Sequence, residues 1–209
     1  FNTMYVRRVR SLVDRLVQPP ETPPDLLHLE SRVGIQIGLI KPDADLDYAR
    51  WGSWNAPQTF DQGVARLVNE FLGPRRAWIY NTLTERAMPA GPLPPSQGEL
   101  TLRIAEIEPS PAAPHEAYIV LENTGDAALD ISSYVLIGAG MDRRIEPGTV
   151  IPGHGRLYVV ADARGFRARA AGPRGGQGLF VQGNWIGAID PALQDEIELL
   201  DDVGGVVAP

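Results

Sequence analysis

Apolar residues early in the chain recur at three- and four-residue spacing, whereas beyond position 99 they alternate with polar ones. The first period belongs to helices and the second to strands. Tyr5, Val9, Leu12 and Leu16 form one stripe, widened by Val6, Val13 and Val17, and Pro19-Pro20 ends that helix. A second helix starts near Pro24 and places Leu26, Val33, Ile37 and Ile40 on one face, proline being suited to a first turn. Val33, Ile35, Ile37 and Leu39 also alternate as a strand would. Gly34 and Gly38 each weaken a helix by about 1 kcal/mol relative to alanine. A third helix opens at Thr59, where Gln62 completes a capping-box spacing ahead of Val64, Leu67, Val68 and Phe71. Gly73-Pro74 is expected to kink it, with Trp78, Ile79 and Leu83 continuing the apolar face.

Strands are expected around Leu100–Ile104, Tyr118–Leu121, Tyr134–Ile137, Leu157–Val160 and Ile197–Leu200. Between them stand turn clusters such as Asn123-Thr124-Gly125-Asp126 and Pro152-Gly153-His154-Gly155. Short strands with regular turns over about 110 residues predict an antiparallel sandwich. Four prolines in residues 88–98 favour an extended, stiff connector. The fold class expected is therefore α+β in two parts: a small helical region at 1–88, a proline-rich linker at 89–98 and an all-β sandwich at 99–209.

Composition sharpens this division. The 209 residues carry 19 basic and 26 acidic groups, for a formal charge of -7. Residues 1–98 hold 11 basic and 10 acidic groups, and residues 99–209 hold 8 and 16, so the β half alone is at -8. Such a half repels nucleic acid, which makes a nucleic-acid partner unexpected. The absence of cysteine excludes disulfides, thiolate zinc sites and cysteine nucleophiles. No apolar run approaches the roughly 20 residues of a membrane-spanning helix. The chain opens on an amphipathic helix already under way, which predicts a fragment of something longer.

The chemistry-bearing motifs are weak. Asp43, Asp45 and Asp47 imitate the start of an EF-hand loop, but Tyr48 and Trp54 stand where that loop needs glycine and glutamate. The better reading is carboxylates at a helix N-terminus after Pro42. Gly138-Ala139-Gly140 follows a strand as a dinucleotide fingerprint would, but Arg143 takes the third glycine's place. His28, His115 and His154 lack ligand spacing. Arg7, Arg8, Arg10 and Arg15 read as a solvated helix face, or a surface docked on an upstream region. Tyr48, Trp51, Trp54 and Asn55 are one possible ligand surface, a sugar-stacking patch, although closing the helical core is the stronger expectation for them. Trp185 is expected in the core or at a sheet end. Asp190, Asp195 and Asp202, with Glu196 and Asp201 nearby, form a possible acidic loop site for calcium. No catalytic, cofactor or metal residue is assigned.

Several segments carry a family resemblance. Ile104-Ala105-Glu106-Ile107, residues 116–123, Asp130-Ile131-Ser132-Ser133-Tyr134-Val135-Leu136, Pro147-Gly148-Thr149-Val150-Ile151-Pro152 and Leu157–Ala161 resemble a lamin tail domain, in order. Gly183-Asn184-Trp185 and residues 195–201 fit the same pattern. The resemblance implies an immunoglobulin-like sandwich; such domains usually continue past the Val206-Val207 position into one more strand, which is missing or cut off here. The helical half resembles the C-terminal helices of CotH-like, spore-coat kinase-like proteins, on Tyr5 to Val17, Ile40-Lys41-Pro42, Ala49-Arg50-Trp51-Gly52, Phe60 to Leu72 and Arg75-Arg76-Ala77-Trp78. Together the two imply a non-enzymatic accessory fragment of a bacterial surface or secreted protein, located outside the cytoplasm, whose sandwich attaches to a protein or cell-surface component. The alternatives are a helical lobe of a CotH-like kinase with its catalytic residues upstream, and a carbohydrate-binding module. The matched region carries none of the nucleotide-covering loop, lysine and carboxylates that phosphoryl transfer needs.

Overall fold

The computed structural model describes residues 1–52, 57–86, 91–185 and 187–208. The architecture is α+β in two parts, helices first and a sandwich-like pair of sheets after them, as the change of period predicts. Two compact units emerge, one of Val9–Ser96 and one of Phe1–Arg8 with Gln97–Pro209.

The helices are α1 (Asn2–Leu16), α2 (His28–Trp51), α3 (Phe60–Arg66) and α4 (Gly73–Thr82). The strand alternative over Val33–Leu39 gives way to helix, and Pro24–Leu26 forms only a single 3-10 turn ahead of α2. Pro42 lies inside α2, so Asp43, Asp45 and Asp47 sit mid-helix, not at a helix N-terminus, and Asp45 pairs with Lys41 one turn back. Proline at 42 removes the hydrogen bond to Gly38. Both residues are exposed, so water can take over that carbonyl. Thr59 caps α3 as its sequence predicts: its hydroxyl accepts from Gln62 N–H, and the Gln62 side chain accepts from Thr59 N–H at 2.8 Å. The expected kink at Gly73-Pro74 takes the form of a π-helical stretch, Leu67–Leu72, in which Gly73 N–H reaches back to Val68 O.

Polar contacts organise the helical unit. Buried Arg76 makes a two-pronged contact with Glu30, at 2.6 and 2.8 Å, and donates to Val17 O at 2.9 Å. Arg10 is also buried, donates to Asp14 and Ser96, and stacks on Tyr80, whose hydroxyl donates to Asp14 at 2.8 Å. Arg8 pairs with Asp130 at 3.0 Å within the β unit. The expected solvated basic face is thus overturned: Arg7 and Arg10 are buried, and Arg8 and Arg10 hold acidic partners.

Among its described residues the β unit contains ten strands: β1 (Leu102–Glu108), β2 (Tyr118–Asn123), β3 (Leu129–Asp130), β4 (Val135–Gly138), β5 (Met141–Arg144), β6 (Val150–Ile151), β7 (Arg156–Val160), β8 (Val181–Gln182), β9 (Glu198–Leu200) and β10 (Val206–Ala208). One sheet runs β1-β2-β7-β8 and another β10-β9-β4-β5, with β3-β6 as a short pair. All pairings are antiparallel except β7 with β8. Ile119, Leu121, Leu157 and Val159 from the first sheet share one core with Leu136, Met141 and Leu199 from the second. Each such aliphatic side chain contributes about 1.5–3 kcal/mol when fully buried. Trp185 joins this core, as expected from sequence. On the first sheet's other side, Tyr118, Val120 and Val160 pack on Phe166 of α5 (Ala163–Ala168), which Asp162 caps by accepting from Gly165 N–H at 2.6 Å.

Candidate functional site

The β4–β5 hairpin builds the most developed site. Its two turn residues, Ala139 and Gly140, both have positive φ, at 50° and 85°, the geometry that matches a hairpin's twist. At Gly138 the backbone of Glu196 comes so close that an added Cβ would sit 2.3 Å from its carbonyl oxygen. The tight hairpin sets β5 at the outer edge of its sheet, beyond β4, where no further strand pairs with it among the described residues.

Beside this edge lies a cleft of about 690 Å³, lined by Ile137, Asp142, Arg143, Arg144, Asn184 and Trp185, among others. Arg143 is mostly buried and donates through Nη2 to Glu146 at 2.6 Å and to Gly183 O at 3.1 Å. Among the described residues its Nε–H has no acceptor, and neither does the indole Nε1–H of Trp185, a residue only 7% exposed. A buried donor without a partner costs about 1–3 kcal/mol. Arg144 donates to Ser133 O at 3.3 Å, and Asn184 Oδ1 accepts from Ala163 N–H at 2.9 Å. One cleft therefore carries two unsatisfied donors, a second guanidinium and an exposed apolar side chain, Ile137, at a free strand edge. Such a wall accepts a ligand rich in acceptors. Sequence reading treated Trp185 as core and Arg143 as a failed glycine position, and nothing local joins residues 42 positions apart.

The other expected sites fare differently. Trp51 is 71% exposed and Tyr48 37% exposed, so Trp51 does not close the helical core; Trp54 and Asn55 lie outside the described residues. The Arg50 guanidinium lies 4.9 Å from the Trp51 ring centroid and covers one of its faces, so a sugar stacking there would have to displace it. Asp190 accepts from Ala192 N–H, Asp195 belongs to a 3-10 turn at Gln194–Glu196, and Asp202 lies in the turn before β10. Among the described residues no group of three or more His, Asp or Glu side chains is arranged to hold a metal ion. His154 stands in an exposed turn with Nε2 2.8 Å from Asp126.

Perturbed ionisation lies elsewhere in the chain. Burial first, and then hydrogen bonds to Glu106 and Asp14 respectively, push the Tyr118 and Tyr80 phenols well above their usual range. Each hydroxyl is a donor to its carboxylate, at 2.5 and 2.8 Å, so neither is poised as a base. The guanidiniums of Arg156 and Arg103 hold the Glu122 carboxyl below its ordinary value. These are structural pairs. Among the described residues no helix is long and apolar enough to cross a membrane. Compared with known proteins, the chain matches no family model and no curated protein.

Proposed function

We propose that the chain acts as a non-catalytic binding piece of a larger bacterial surface or secreted protein, in which an immunoglobulin-like, lamin-tail-like sandwich attaches to a protein or cell-surface component outside the cytoplasm. One observation carries the reading: the cleft beside β5 combines a free strand edge with two buried donors that lack acceptors. Edge strands bind extended segments by adding a strand, and neighbouring pockets supply selectivity. Selection of a random-peptide library on the purified chain tests it. Enriched peptides that shift amide resonances of the sandwich support the reading. A library that yields none, or magnesium-dependent ATP turnover by the same preparation, overturns it.

A second reading, a helical lobe of a CotH-like kinase whose catalytic residues stand upstream of Phe1, is favoured by α2. Ile35, Leu39 and Leu46 are exposed along one side of that helix while Val33, Ile37 and Ala44 are half-buried on the other, and no residue of α2 is fully buried. Exposed apolar side chains aligned along one side of a helix favour a covering surface. Expressed together with a nucleotide-binding region preceding it, the helical unit should gain hydrogen-exchange protection over α2. Unchanged exchange would remove this reading.

A further inference from the structure

Resting on the binding reading above, we propose that the cleft beside β5 receives a carboxylate carried by an extended peptide segment, seated against Arg143 and Trp185. Both residues line the cleft, and each retains an N–H donor without an acceptor, Nε–H on Arg143 and Nε1–H on Trp185. Nη2 of Arg143 is already committed to Glu146 and the Gly183 carbonyl. Nε–H and the two Nη1 donors remain, Nε–H without an acceptor among the described residues. A carboxylate has two oxygens and several lone pairs, so it satisfies more than one donor where a hydroxyl or a single carbonyl would satisfy one. Charge-assisted bonds to guanidinium are also the stronger kind. Arg144 adds positive charge on the same wall.

The peptide half of the proposal comes from β5. Among the described residues it is the outermost strand of its sheet and pairs only with β4, in the register Ile137↔Asp142 and Leu136↔Arg143. An added strand would run along its outer edge, and Ile137, 41% exposed, offers an apolar contact within the cleft. Two features limit how much negative charge the site tolerates. Asp142 lines the same cleft, so a second carboxylate placed near it is repelled. The chain as a whole is at -7, so a polyanion is repelled at long range. The site thus selects one acidic group in an otherwise uncharged segment, and excludes acidic runs and nucleic acid.

Salt separates this mode from general anion binding. Added salt screens the long-range repulsion, while a desolvated contact is screened much less, so affinity holds or rises with ionic strength. Binding to a polyanion through surface cations would fall steeply instead.

The test follows the indole Nε1–H resonance of Trp185, assigned by its loss in Trp185→Phe, in ¹⁵N-labelled full chain. Three peptides are titrated: acetyl-Thr-Val-Glu-Val-Thr-amide, its glutamine counterpart, and the glutamine peptide with a free C-terminal carboxylate. The expected result is a saturable shift of the indole and the β5 amides by the glutamate peptide, with the amidated glutamine peptide at least about tenfold weaker. The third peptide tells a side-chain carboxylate from a chain terminus, and binding of either form supports the proposal. Trp185→Phe and Arg143→Lys should each reduce the preference for glutamate. Asp142→Asn, a change at an exposed side chain, should tighten the glutamate peptide by about two- to fivefold, in line with lost like-charge repulsion. Equal binding of the glutamate and amidated glutamine peptides, with β5 shifting, would overturn the carboxylate while leaving the binding function standing. An indole resonance unmoved by any of the three peptides would overturn the seat itself. Failure of the binding function is read separately, by the library selection.

Discussion

Asn123, at the end of β2, offers the sharpest test of how the sandwich is held. Its side chain is fully buried; Nδ2 donates to Ala127 O at 2.7 Å and Pro152 O at 3.0 Å, and Oδ1 accepts from Thr101 Oγ1 at 2.8 Å and Gly125 N–H at 3.1 Å. One amide thus joins the approach to β1, the turn after β2 and the turn before β7. In Asn123→Ala the Thr101 hydroxyl can turn to water, since that residue is exposed. Ala127 is exposed, so its carbonyl can turn to water, and Pro152 O keeps the Gly155 N–H at 2.9 Å, whereas the half-buried Gly125 N–H loses its acceptor. At about 1–3 kcal/mol for a buried polar group left unpaired, the expected loss is about 1–3 kcal/mol. For a unit of this size that corresponds to a fall in Tm of roughly 4–15 °C. Asn123→Asp should cost at least as much, because it restores the acceptor but turns a carboxylate oxygen toward two carbonyls. Hydrogen exchange of peptides covering β2 and β7 reads the β unit separately from the helices. A loss below about 0.5 kcal/mol in both variants would refute the assignment of this amide as the tie between those turns.

Three further outcomes are expected. Arg76→Ala should destabilise the helical unit by about 3–5 kcal/mol, because it strands the Glu30 carboxylate in a largely buried place, whereas Arg76→Met with Glu30→Met should cost less; urea unfolding followed by helical circular dichroism compares them. Glu122 has a depressed folded-state pKa, caused first by Arg156 and then by Arg103, so its contribution is present above the ordinary glutamate value of 4.5 and is lost as pH falls through the lower folded value. A carboxyl ¹³C titration should therefore find its midpoint below 4.5, and Arg156→Gln should move it upward. Burial pushes the Tyr134 phenol up to about 12, so the stability it lends is full below pH 10 and disappears as pH rises toward 12; in Tyr134→Phe that part of the alkaline loss should be absent from stability curves.

What the sequence reveals here depends on whether the partners of a residue are near it. Thr59 and Gln62 are three apart, and their reciprocal capping is read directly. Short apolar runs bounded by turn residues place Tyr118–Leu121 and Leu157–Val160 in strands, and both faces of these strands are packed, Ile119, Leu121, Leu157 and Val159 in one cluster and Tyr118, Val120 and Val160 in the other. The eight residues between Leu200 and Pro209 contain β10, whose two valines give too short a period to read. The burial of Arg10 and Arg76 escapes the same reasoning, since Ser96 and Glu30 stand 86 and 46 positions away. Arginine in a helix stripe looks solvated until its partner is found. Pro42 misleads for a different reason: it predicts a helix boundary, yet α2 passes through it where the freed carbonyl faces water. The cleft is the extreme case. Trp185 is correctly core by its bulk, and only tertiary structure reveals an indole N–H left without an acceptor.

The two units also differ in the kind of interaction that holds them, and this bears on where binding can reside. The β unit has a continuous apolar core from both sheets, with Ile119, Leu121, Leu157 and Leu199 fully buried. Its strands can therefore hold Arg143 and Trp185 in place even though two donors go unpaired. The helical unit rests instead on Arg76–Glu30 and Arg10–Asp14, ion pairs whose worth depends on their burial. Its longest helix leaves Ile35, Leu39 and Leu46 uncovered. A site needs fixed donors more than it needs exposed apolar surface. The sandwich supplies the first and the helices only the second, which is the physical reason for proposing β5 and its neighbours, and not the helical unit, as the binding surface.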